Sequence, residues 1–126
     1  MLRDRMCPGG GWNCGNPRVY GVAGEPLVVP TVWALLALRD HPEEAENAAS
    51  LAWLQNTLPA ISGPASLALA QVCLKTYRRE WPPEAPQLHD FFSRNEFLGS
   101  VQVAAWACLA LGSARNWLIP AAEETP

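Results

Sequence analysis

With 49% hydrophobic and 17% charged residues, a chain of 126 residues carries enough apolar material for one folded domain of ordinary size. A net charge of −3 and a pI near 5.3 offer a polyanion no attractive field, which argues against nucleic acid as a partner. The one basic cluster, Lys75, Arg78 and Arg79, follows an apolar run, where it reads as a complement to a helix macrodipole rather than as a phosphate site.

Residues 1–29 are dense in turn formers, with Pro8, Gly9, Gly10, Gly11, Gly15, Pro17, Gly21, Gly24 and Pro26. Neither a helical nor a strand period persists there, so the segment reads as a long Gly/Pro-rich loop with a short extended piece at Leu27 to Val29. A loop of that length within a compact domain is commonly functional or covers something. Pro30-Thr31 then opens a helix, TVWALLAL, that is apolar around its whole circumference and therefore expected to be buried. It ends near Arg39-Asp40-His41, before Pro42.

The second helix has Glu43, Glu44 and Glu46 in its first turn, as the macrodipole favours. Its expected apolar face is Ala45, Ala48, Ala49, Ala52 and Trp53, widened by Leu51, Leu54 and Leu58. Asn47, Ser50, Gln55 and Asn56 supply the polar surroundings. After a Ser62-Gly63-Pro64 turn, Ala65 to Leu74 is again almost wholly apolar and reads as buried, turning charged at Lys75 to Glu80 and closing at Pro82-Pro83. A fourth, amphipathic helix is expected over about Glu84 to Asn95, with Leu88, Phe91 and Phe92 on one side. A fifth runs from Gly99 or Ser100 to Leu111, with Gly112 as C-cap, and reads as a buried core helix. The uncharged window from Phe97 to Ser113 falls short of the ~18 apolar residues of a membrane span. The tail from 113 to 126 turns polar at Ala121.

Cys73 and Cys108 sit inside apolar helical runs, where a free thiol acts as a small hydrophobe. Cys7 and Cys14 share the N-terminal loop, but no second pair completes a zinc site, and His41 and His89 stand apart from them in sequence. No metal and no cofactor are expected. Arg3, Asp4 and Arg5 interrupt the start where a secretory signal needs an apolar core, so a cytoplasmic setting is expected. Contact with a membrane surface stays open, since helices this apolar are compatible with it, although no basic amphipathic helix argues for it.

The three apolar segments open at Pro30, Pro64 and Ser100, in steps of 34 and 36 residues. Such a period means stacked helical hairpins, and strict alternation of buried with half-exposed helices is what two concentric layers require. The expectation is an all-α fold of about five alternating inner and outer helices in a single domain.

GGGWNCGN followed by PTVWALLAL resembles the terpenoid cyclase/protein prenyltransferase superfamily, specifically the prenyltransferase and squalene-cyclase repeat. Gly10, Gly11 and Trp12 match its loop; Pro30, Thr31, Ala34, Leu35 and Leu38 match its inner-helix start; Leu51, Trp53, Leu54 and Gln55 are similar to its outer helix. The resemblance implies a partial α/α toroid, and since the complete ring of that family has twelve helices, it implies a fragment that needs the remaining helices or self-association. The family's Asp-x-Asp-Asp acid motif has no counterpart, because Asp4, Asp40 and Asp90 are scattered, and no Asp-Cys-His zinc triad falls on the matching positions. No catalytic residue is therefore assigned.

What the resemblance implies for binding is a lumen in which Trp12, Trp33 and Trp106 hold an isoprenoid or another apolar small molecule, with Arg18 and a helix N-terminus near a diphosphate. The plainer expectation is that Trp33 and Trp106 fill core space and that Arg18 is solvated. The implied function is a repeat segment, non-catalytic alone, that contributes to an apolar isoprenoid-binding cavity. Two alternatives stay open: a cyclase or prenyltransferase whose acid or metal residues lie on a missing upstream half, and a helical-repeat module that binds protein.

Overall fold

The computed structural model describes residues 1–41, 44–94 and 100–112; Pro42, Glu43, Asn95 to Gly99, the tail 113–126 and the Phe92 side chain lie outside the described residues. The chain is mostly helical, with α1 at Val28–Ala37, α2 at Ala45–Thr57, α3 at Pro64–Thr76, α4 at Leu88–Ser93 and α5 at Val101–Leu111. A small antiparallel hairpin, β1 at Arg18–Val19 and β2 at Val22–Ala23, precedes them, pairing Arg18 with Ala23 and Val19 with Val22. Its turn places both Tyr20 (φ 50°) and Gly21 (φ 77°) in the left-handed region, the geometry whose twist suits a two-residue hairpin. The expected extended piece at Leu27 to Val29 is not a strand: Val28 and Val29 already belong to α1.

α1 thus starts two residues before Pro30, which is tolerated because first-turn N–H groups have no acceptor inside the helix. α3 opens on Pro64 behind an extended Gly63, as its turn residues imply. It ends without waiting for Pro82-Pro83. Arg78 adopts φ 54°, and the Arg79 N–H reaches back to the Leu74 carbonyl at 2.8 Å, a left-handed C-terminal lock made with arginine in place of glycine. α4 is much shorter than Glu84 to Asn95, because Pro86 keeps the residue before it out of helical conformation and the helix begins only at Leu88. Ser100 caps α5, its Oγ accepting from the Val103 N–H at 3.2 Å. Gly112 stands at the C-cap as expected, but in an extended rather than a left-handed conformation.

α3 is the hub. It packs most extensively on α5 and then on α1, while α2 lies on α1 and α4 on α3. Leu67, Ala68, Ala70, Cys73 and Leu74 of α3 are buried, as are Val32 and Leu35 of α1 and Leu51 and Leu54 of α2. Tyr77, just beyond α3, donates its hydroxyl to the Leu35 carbonyl at 2.5 Å and so ties α3 to α1. Lys75 Nζ donates to the Ala110 carbonyl and, at 3.3 Å, to that of Gly112. Lys75 stands in the last turn of α3, as expected of a complement to its macrodipole, and thereby also serves the C-terminal end of α5.

Three burial expectations are corrected. α5 is not buried all round: Ala107 and Ala110 are enclosed, while Val101, Cys108, Leu109 and Leu111 are exposed. It packs on α3 through one stripe only, so an apolar circumference did not translate into enclosure. α1 is likewise open on one side, at Trp33 and Ala37. On α2 the buried stripe is Asn47, Ser50, Leu51 and Leu54, whereas Ala45, Ala48, Ala49 and Ala52 are exposed. The polar pair turns inward because the N-terminal loop and the α1–α2 connection hold backbone groups that need partners. Asn47 Nδ2 donates to the His41 carbonyl at 2.7 Å, and Ser50 Oγ accepts from the Gly11 N–H at 2.9 Å. Among the described residues no helix is long and apolar enough to cross a membrane.

Candidate functional site

The glycine loop is fastened to both helices of the first hairpin. Gly10 and Gly11 have φ of 113° and 78°, a region that side-chain-bearing residues rarely adopt. A Cβ on Gly10 would stand 2.9 Å from the Ala49 carbonyl carbon, and one on Gly11 would stand 2.6 Å from Pro26 Cβ. Only glycine lets this loop lie so close to α2 and to the entry of α1.

Thr31 then completes the attachment. Its Oγ1 accepts from the Trp12 N–H at 2.9 Å and donates to the Trp12 carbonyl at 3.2 Å, and the Leu27 N–H donates to that same carbonyl at 2.8 Å. Trp12 is buried, and its indole Nε1 donates to the Leu2 carbonyl at 2.8 Å. Every polar atom of this residue has a partner.

Beside this clamp lies an open cleft of about 540 Å³. The α1 wall is Pro30, Trp33, Ala34 and Ala37; the loop wall is drawn from residues 2–16 and includes Trp12, Arg5, Asn13 and Asn16. Trp33 is 46% exposed, far more than a core residue, and its other side meets Trp106 of α5 edge to face, with ring centroids 5.3 Å apart and 71° between planes. The cleft therefore joins two of the four predicted site residues, Trp12 and Trp33. Trp106 braces Trp33 from behind, half-buried, without lining the cleft.

Arg18 is not part of it. It is exposed on β1 and lines an adjoining depression of about 680 Å³ together with Arg3, Asp4 and Arg5. Arg5 and Asn16 border both hollows. Arg3 is occupied elsewhere, donating to Asn47 Oδ1 at 3.2 Å and pairing with Glu46 at 3.8 Å. Arg5 Nη1 donates to Asn16 Oδ1.

Arg5, Asn13 and Asn16 escape a reading of the sequence, since an arginine near a terminus and two loop asparagines carry no distinguishing pattern. Their signal is spatial: they flank a tryptophan whose backbone is fixed from 19 residues away.

The thiols divide by burial. Cys7 and Cys73 are enclosed, and burial pushes both up, Cys73 to about 12, while Cys14 in the cleft wall and Cys108 on α5 are exposed. Burial also pushes the Tyr77 phenol up. Among the described residues no group of three or more His, Cys, Asp or Glu side chains gathers as a metal site. Compared with protein-family models, with curated proteins and with solved structures, the chain finds no match.

Proposed function

We propose that this chain is a segment of an α/α toroid of the terpenoid cyclase/prenyltransferase kind, non-catalytic alone, whose first hairpin forms part of the wall of a site for an apolar, isoprenoid-like ligand. The observation that carries this reading is the placement of Trp33: half-exposed on a cleft whose opposite wall holds the clamped Trp12, and backed by Trp106. A tryptophan left this open costs solvation free energy, of the order of 1 kcal/mol for each ~40 Å² of apolar surface in water, and a ligand that covers it recovers that term. The order of packing, with α1 and α5 on either side of α3 and with α2 and α4 each on the preceding helix, also suits a curved double layer. On this reading the chain works in the cytoplasm.

Isothermal titration of the purified chain with farnesol tests the reading. Saturable binding that weakens about tenfold in Trp33→Ala is expected, since losing one aromatic wall removes one to two kcal/mol, roughly a decade in affinity. Absence of saturable binding overturns it. The flanking reading frame separates the non-catalytic form from a cyclase: further hairpins with an Asp-rich acid motif upstream would make this chain one half of an enzyme.

One observation favours the alternative of a protein-binding module, namely the exposed Val101, Leu109 and Leu111 on α5. Light scattering behind size exclusion addresses it, because a well-behaved monomer would remove the need for a partner on that face.

A further inference from the structure

The cleft beside α1 is unequal in its chemistry. Its helical wall, Pro30, Trp33, Ala34 and Ala37, contains no ionisable group, whereas its loop wall contains Arg5. No carboxylate among the described residues lines it: Asp4 borders only the adjoining depression, where it pairs with the N-terminal ammonium at 3.2 Å. Among the described residues, Arg5 is therefore the one charged side chain that lines the cleft. One of its N–H groups is given to Asn16 Oδ1, and its remaining donors have no partner among the described residues. A guanidinium offers its donors as a planar fork, which matches the two oxygens of a carboxylate.

We infer that the ligand of this cleft is an apolar chain ending in a single carboxylate, with Arg5 holding the head and Trp33 covering the tail. The inference rests on the apolar-ligand reading of the same cleft and adds the charge of its occupant. A carboxylate suits the site better than a phosphate ester, because a phosphate brings about −1.5 to −2 charges where the described residues of the cleft supply one cation. Arg3 is committed to Asn47 and Glu46, and Arg18 lies outside the cleft, so neither balances the excess.

The experiment compares farnesoic acid, farnesol and farnesyl monophosphate by isothermal titration of the full chain near neutral pH, with Arg5→Gln and Arg5→Lys alongside. Farnesoic acid is expected to bind about tenfold tighter than farnesol, the scale of one charge-assisted hydrogen-bonded pair. Arg5→Gln should erase that difference between acid and alcohol, and Arg5→Lys should restore part of it. Because Arg5 is exposed, neither variant should alter the helical circular dichroism. Equal affinities for acid and alcohol in the wild-type chain overturn the carboxylate inference and leave the apolar cleft standing. Tighter binding of the monophosphate than of the acid overturns the single-charge assignment. Binding of none of the three overturns both readings together.

Discussion

The indoles of Trp33 and Trp106 meet edge to face, 5.3 Å between centroids and 71° between planes, although α3 lies between the helices that carry them. The contact joins α1 to α5 on one side of their common neighbour α3. Such a pair contributes about 0.5–1.5 kcal/mol beyond the area it buries. A double-mutant cycle with Trp33→Leu and Trp106→Leu, read by urea unfolding, should therefore return a coupling near 1 kcal/mol. A coupling of zero would mean the rings are neighbours without being partners.

Thr31 holds both backbone polar groups of Trp12. Thr31→Val keeps the shape but strands a buried N–H, at a cost of about 2–3 kcal/mol. Thr31→Ser keeps the oxygen and should cost well under half as much. If urea midpoints fall equally for the two variants, the methyl group rather than the hydroxyl is what matters at this position.

Two left-handed residues give opposite expectations. Gly11→Ala forces a Cβ to within 2.6 Å of Pro26 and strains the backbone, so a loss of about 2 kcal/mol or more is expected. Arg78 already bears the cost of a side chain at φ 54°, so Arg78→Gly should stabilise the chain by about 1 kcal/mol. Thermal midpoints that move in the same direction would refute this pairing.

Alkaline stability follows from the enclosed thiol. Unfolded, Cys73 ionises near its ordinary value of 9.0; folded, burial pushes it up to about 12. The folded-state pKa is the higher one, so the contribution is whole below pH 9 and is lost as pH rises from there towards 12. Tyr77, raised from 10.0, acts in the same direction. Urea midpoints should fall steadily above pH 9, and Cys73→Ala should flatten that fall. In a native thiol-labelling time course, Cys14 and Cys108 should react first and Cys7 and Cys73 only on unfolding.

The three apolar helices are legible because runs such as TVWALLAL and ASLALAQVCL exclude charge over several turns, and nothing but packing satisfies them. Pro64 and Ser100 mark two of their starts for stereochemical reasons that need no tertiary context. Depth of burial is another matter. α5 is more apolar than α3 yet is covered on one side, since enclosure depends on what lies beyond a helix and not on the helix itself. The inward turn of Asn47 and Ser50 is hidden for a similar reason: their partners, the His41 carbonyl and the Gly11 N–H, come from loops whose course no period encodes. The hairpin at Tyr20-Gly21 is too short for an alternating pattern to register. At the cleft, tryptophans stand out by their size, whereas Arg5 gains its meaning only from the wall it faces.

The double hydrogen bond between Thr31 and Trp12, together with the indole's own bond to Leu2, fixes one side of the cleft in place. On the proposed reading, an incoming molecule would meet a wall already held in place there. The opposite wall is carried by Trp33, which packs edge to face on Trp106 of α5. If the cleft binds a ligand as proposed, affinity at α1 is in this way tied to the docking of α5, through a single aromatic contact.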